Sequence, residues 1–340
     1  MKKTLGKVLA LVLALTMVMA LLAGCGKKEP AEDPGKSDSE APKKVKVAVI
    51  LQGAISDMSW NKTAYDGLKK IEALGAEVSY QENVPIASVS DSINTYATEG
   101  YDVIFLSTNG YEDFGAQAAP QYPDVQFILI NGKQSHGDNL VALKIADEQQ
   151  GFLMGAIAAL TSKNKNIGFI GGEEITPIIN GRKGFEQGAK YADPNVQINA
   201  TMTGNFNNVN QAKETAKAMI EKGVDVVSPM ANAAALGVIE AAEESGTSFA
   251  IGSSIGQQKN APKSMIIEIG KDTSIAYVEA YKLYLDGKLG KDPIKMGADK
   301  GVVFLSDWFE AANGVSDDVK AKVKQIYDDL AAGKITINLN

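Results

Sequence analysis

Apolar and polar positions recur along residues 45–340 in a repeating pattern. Residues 45–51 (VKVAVIL) form a β-branched apolar run, as in a strand buried on both faces. Residues 61–74 then place Ala64, Leu68, Ile71 and Leu74 at helical spacing, with Gly75 as a stop. Strand-like runs at 78–82, 101–108 and 125–130 are separated by helical patterns near 89–99 and 112–121. The alternation restarts with a helical stretch at 147–162. Strands at 166–172, 196–204, 224–230 and 248–253 follow, with helices near 178–191, 208–222 and 233–245 between them. Two successive runs of similar length predict an α/β protein of two doubly wound parallel-sheet lobes, with a cleft at the strand C-terminal ends. Strands at 265–270 and 302–306 and helices near 272–286 and 315–332 complete the pattern. Periodicity alone leaves open which lobe receives them.

The first 25 residues follow a different rule. Lys2, Lys3 and Lys7 precede an apolar run from Val8 to Leu22, too short for a comfortable transmembrane helix and closed by small residues. This is the layout of a secretory signal over 1–24. Its end, Leu22-Ala23-Gly24-Cys25, resembles the bacterial lipobox, which implies lipidation of Cys25. More than one acyl chain makes such an anchor stable, because each buried methylene contributes about 0.8 kcal/mol. Residues 26–44 lack large apolar side chains and are rich in Pro, Gly, Ser and charge, so 25–44 reads as a lipidated cysteine and disordered tether.

Composition narrows the chemistry. The chain has 340 residues and a formal charge of −7, with no basic block to suit a nucleic acid. One cysteine excludes a disulfide framework, and one histidine (His136) leaves little room for His-based catalysis or a zinc site. Residues 252–256 (GSSIG) match the G-x-S-x-G pattern of a nucleophile elbow, but no histidine follows Ser254 to complete a triad. The Gly171-Gly172 pair belongs to no phosphate-binding motif and reads as a strand-end turn. No enzyme, cofactor or metal is expected.

The strand-end loops carry the informative residues. Residues 53–61 offer Asp57 and Asn61 as hydrogen-bonding groups and Trp60 as a ring face, with Tyr65 one turn further on. Asn109 ends the third strand and Asn131 the fourth, and Phe206 stands among amides at 204–208. Aromatic faces with fixed hydrogen-bonding groups suit a planar polar ligand such as a nucleobase.

These pieces, in this order, carry a resemblance. Residues 57–61 (DMSWN) and 64–68 (AYDGL), then 122–127 (YPDVQF), 151–160 (GFLMGAIAAL), 167–172 (IGFIGG), 184–191 (GFEQGAKY) and 204–206 (GNF), resemble the basic membrane protein family. These are substrate-binding lipoproteins of ABC importers and include purine nucleoside receptors. The resemblance spans about 46–275 and implies a type I periplasmic-binding fold, two lobes joined by three crossings. It implies an N-terminal lobe of 45–145 plus 254–294 and a C-terminal lobe of 146–253 plus 295–340. It further implies a purine sandwiched between Tyr65 and Phe206, polar recognition by Asp57 and Asn61, and Lys271 near the ribose.

Three positions depart from the family pattern. Asn131 stands for an aspartate, Asn232 lies in a stretch reading PMANAA (229–234) where the family carries a glycine-rich loop, and Ser254 replaces the aspartate that grips ribose hydroxyls. A serine hydroxyl cannot replace a two-oxygen acceptor, so a free base, a modified nucleoside or another small polar ligand stays open beside the nucleoside. The expected partners are that small molecule, ABC permease subunits, and the membrane through a lipid on Cys25. The chain is expected to act outside the cytoplasm as a monomer. A ligand sensor of the same fold is the alternative.

Overall fold

The computed structural model describes residues 44–340 apart from 58 and 59, and of Asp57 the backbone alone. The expected signal, the lipidation site Cys25, the tether through 43 and the side chain of Asp57 lie outside the described residues.

In the first lobe β1 (Lys46–Ile50), β2 (Glu77–Gln81), β3 (Val103–Leu106), β4 (Gln126–Ile130) and β5 (Leu140–Ile145) run with α1 (Trp60–Ala73), α2 (Val89–Thr98) and α3 (Glu112–Ala118). The second lobe follows with α4 (Asp147–Thr161), β6 (Asn166–Gly171), α5 (Thr176–Ala192), β7 (Gln197–Met202), α6 (Val209–Glu221), β8 (Val226–Met230), α7 (Ala235–Ser245), β9 (Phe249–Gly252) and β10 (Met265–Lys271). The chain then returns through α8 (Thr273–Leu285) and β11 (Ile294–Met296) to the first lobe, and ends in the second with β12 (Val303–Leu305) and α9 (Asp317–Ala331). Among the described residues each lobe holds one six-stranded sheet, ordered β11-β5-β4-β3-β1-β2 and β12-β10-β9-β8-β6-β7. Every pairing is parallel except β10 with β12.

The apolar run in β1 explains the layering. Val47 and Val49 face α1 and α8, whereas Ala48 and Ile50 face the cluster built with α2. Alternate side chains thus enter two different cores. Leu74, expected on the buried face of α1, is instead 52 % exposed, because the helix stops at Ala73 and the chain turns at Gly75.

Two strands sit on the other side from the one expected. The segment 254–294 was expected in the N-terminal lobe, yet β10 pairs with β9 in the second sheet; α8, in the same segment, does pack in the first lobe. The segment from 295 was expected in the C-terminal lobe, yet β11 pairs with β5 in the first sheet. The crossings, among the described residues, therefore fall at 145–147, 271–273 and 296–303. They are bonded to one another: the N–H of Ala146 donates to Met296 O (3.0 Å) and that of Asp272 to Val302 O (2.9 Å). No described helix is long and apolar enough to cross a membrane.

Candidate functional site

Strand order fixes where a site can form. In both sheets the first strand lies between the second and the third, so the connections diverge between β1 and β3 and again between β6 and β8. At such switch points the loops leaving the strand C-terminal ends open a crevice. A cavity of about 800 Å³ lies there between the lobes, with walls that include Asn61, Asn109 and Asn131 from the first and Phe206, Asn232 and Lys271 from the second.

Trp60, the first residue of α1, is held by a hydrogen bond from Nε1 to Ser107 O at the end of β3 (2.8 Å). Trp60 thus lines the cavity from a fixed position while also packing on the first-lobe core. Asn61 accepts the Gly53 N–H on Oδ1 (3.1 Å), closing the loop over α1. Asn131 has φ 56°, a left-handed conformation that Asn tolerates, and its Oδ1 accepts from Ile145 N–H (3.0 Å). With that oxygen engaged, the Asn131 side chain, which lines the cavity, keeps its amide N–H donors. Asn232 is likewise left-handed, at φ 46°.

On the opposite wall Phe206 packs on Gly172, where any side chain would collide with the ring: a Cβ would stand 2.3 Å from Cδ1. The Gly171-Gly172 turn therefore seats an aromatic ring. Ser254 lines the cavity on a loop tied down by its neighbours, Gln257 Oε1 accepting from Ser253 N–H and Ser254 N–H (2.9 and 3.2 Å) and Glu268 accepting from Gly256 N–H and Gln258 N–H (2.9 and 2.6 Å). His136 pairs instead with Glu112 in the first lobe (3.1 Å).

Tyr65 is not among the cavity walls. It packs edge-on against Tyr80 with ring centroids 5.0 Å apart, so Trp60 is the aromatic that the first lobe brings to the cavity. The remaining expected side chains that are described, Asn61, Asn109, Asn131, Phe206, Asn232, Ser254 and Lys271, all come together there.

Sequence reasoning missed the first turn of α4. Asp147 lines the cavity, 3 % exposed, and pairs with Lys271 Nζ (2.6 Å). Burial pushes its carboxyl above the ordinary range; Lys271 opposes this in part, and the neighbouring Glu148 adds to the rise. Glu148 pairs with Lys295 of β11, Gln149 Oε1 accepts from Ala298 N–H (2.8 Å), and Gln150 Nε2 donates to Ser253 O and Ile269 O (both 2.8 Å). Four consecutive polar side chains thus bind the crossings and the cleft floor together. The turn is placed by close packing of α4 on α5, where a Cβ on Gly151 would stand 1.9 Å from Gly181 O and one on Gly184 2.0 Å from Glu148 O. A polar DEQQ leading a helix apolar on every side was the available signal, since such a helix buries its ends as well. Phe304, opposite Gly270 in the β10–β12 register, is a further wall residue that was missed. No described group of three or more His, Cys, Asp or Glu is placed to hold a metal.

Comparison with known proteins agrees with this geometry. The sequence pattern of the Bmp family, described as ABC transporter substrate-binding protein PnrA-like, matches residues 44–338. Basic membrane protein A of Borreliella burgdorferi is 31 % identical over 277 residues, covering 80 % of this chain and 78 % of that protein. A CD4+ T-cell-stimulating antigen of Listeria monocytogenes is 28 % identical over 353 residues, 96 % of this chain and 97 % of its own. In fold, an ABC transporter solute-binding protein from Aeropyrum pernix superposes with a TM-score of 0.71 at 23 % identity, covering 87 % of this chain and 94 % of that one. The periplasmic ribose ABC transporter protein of Conexibacter woesei superposes at 0.64 and 14 % identity, covering 78 % of this chain and 92 % of its own. The shared architecture is the type I periplasmic-binding fold.

Proposed function

The chain belongs to the Bmp family of ABC-transporter substrate-binding proteins, and from that premise we propose that it captures a purine nucleoside or related purine by lobe closure and delivers it to a permease. Proteins of this family bind and hand over a solute outside the cytoplasm and are not enzymes. A lipid on Cys25 would keep the protein at the membrane surface, where ligand captured at low concentration stays beside its permease.

The observation that carries the reading is that Trp60 and Phe206, one aromatic from each lobe, line the same cavity of about 800 Å³ together with amide side chains. A flat base between two rings gains stacking from both lobes at once, which favours the closed state over the open one. The amides of Asn61, Asn109 and Asn131 supply donors and acceptors for the edge of the base.

A second reading, a ligand other than a purine, is favoured by Asn131. With its oxygen engaged by Ile145, it offers donors where an aspartate would offer acceptors. Mass spectrometry of small molecules released on denaturing protein purified without its first 43 residues separates the two. A purine or purine nucleoside is expected. A non-purine would keep the capture role and overturn the purine assignment.

A further inference from the structure

We infer that Asp147 is a ligand-recognising residue of the cleft, its Oδ2 accepting from hydroxyl groups on the sugar of the bound nucleoside while Lys271 holds Oδ1. The inference rests on the nucleoside reading above. Among the described side chains lining the cavity the carboxylates are Asp147 and Asp272. Asp272 is spent: Oδ1 accepts from Ser274 N–H (2.9 Å) and from its hydroxyl, capping α8, and Oδ2 faces Lys70 Nζ at 3.4 Å. Asp147 is different. Lys271 Nζ donates to Oδ1, and Oδ2 takes no hydrogen bond from any described residue, although the side chain is 4 % exposed.

A carboxylate oxygen that opens on the cleft with no protein donor is free to accept a ligand O–H or N–H. Beside it, Lys271 Nζ has three donor hydrogens, one of which goes to Asp147. Acceptor and donor stand side by side, which matches two neighbouring hydroxyls, each able to give and to accept. The rings of Trp60 and Phe206 match the flat part of the molecule and leave the saturated, hydroxylated part to this pair. The pair also sits at the pivot, Asp147 at the end of the first crossing and Lys271 at the start of the second. A contact made there moves little as the lobes close, so it would form on first capture.

Titrations of adenosine and 2′,3′-dideoxyadenosine into the wild type, Asp147→Asn and Asp147→Glu test this, with thermal melts confirming that each variant folds. Wild type is expected to favour adenosine. Asp147→Asn should weaken adenosine about 10- to 100-fold, the range for a hydrogen bond to a charged group, and dideoxyadenosine less than about threefold. Asp147→Glu keeps the charge beside Lys271 but displaces the oxygens, so it should also lose hydroxyl selectivity. Equal losses for both ligands, or selectivity intact in Asp147→Glu, would reduce Asp147 to a counter-ion and overturn the inference alone. A wild type that binds both ligands equally overturns it too, while sparing the nucleoside reading. A wild type that binds no purine nucleoside removes both.

Discussion

Glu112 and Asp147 each open a helix, one in each lobe, and each is withdrawn from solvent. Glu112 is surrounded by donors: Lys133 N–H (2.9 Å), Gln134 N–H (3.3 Å) and the His136 ring (3.1 Å). Burial works to raise its carboxyl, but these partners outweigh burial and hold it below the ordinary range. Asp147 has one partner and an open oxygen, and burial wins. A carboxylate whose acceptors are filled by its own protein stabilises a loop. One left half-filled beside a cavity costs stability and is available to a ligand.

The largest expected effect removes one side of this contrast. Gly184→Val places a side chain against Glu148 O, where even a Cβ would stand at 2.0 Å, and pushes away the turn that carries Asp147. A loss of about 3 kcal/mol in denaturant unfolding is expected, or failure to fold. A melt within a degree of wild type would mean that α4 and α5 do not need this close approach.

Phe206→Ala leaves both carboxylates in place and removes a ring. It should weaken a stacked base by about 1–3 kcal/mol, roughly 5- to 150-fold. An unchanged dissociation constant would take Phe206 out of the site.

The pH dependence of stability separates the two carboxylates most finely. The Glu112 carboxyl is lowered from 4.5, so the stability it lends is present above pH 4.5 and lost as pH falls through its folded value. The Asp147 carboxyl is raised from 3.8, so what it lends is full below pH 3.8 and lost as pH rises through its folded value. Glu112→Gln should therefore cost about 1–2 kcal/mol at pH 7, with the gap to wild type closing below pH 4.5. Asp147→Asn should cost less than that at pH 7. The reverse order would break the comparison.

Most of the fold was legible because strands buried on both faces are written as apolar runs, and helices end at glycines such as Gly75. Strand β5 lay unnoticed between the fourth strand and α4, its Lys144 interrupting an apolar run. Strand β11, three residues long, has no period to detect. The return of β10 to the second sheet is a matter of topology, which periodicity does not encode. In the site, Trp60 and Tyr65 are both aromatic and close in sequence, and only helix phase decides that Trp60 faces the cavity while Tyr65 meets Tyr80. Asp147 escaped because its meaning depends on Lys271, 124 positions away, and a DEQQ run read locally is a solvated helix start.

The central claim is that the two rings close on a purine nucleoside, and Trp60 can report it directly. Trp308→Phe leaves Trp60 as the chain's single tryptophan. Titrating that variant, stripped of bound ligand by unfolding and refolding, with adenosine, guanosine and inosine should give a saturable change in Trp60 fluorescence at one ligand per chain for at least one of them. No change with any of the three, in protein that melts cooperatively, would contradict the account.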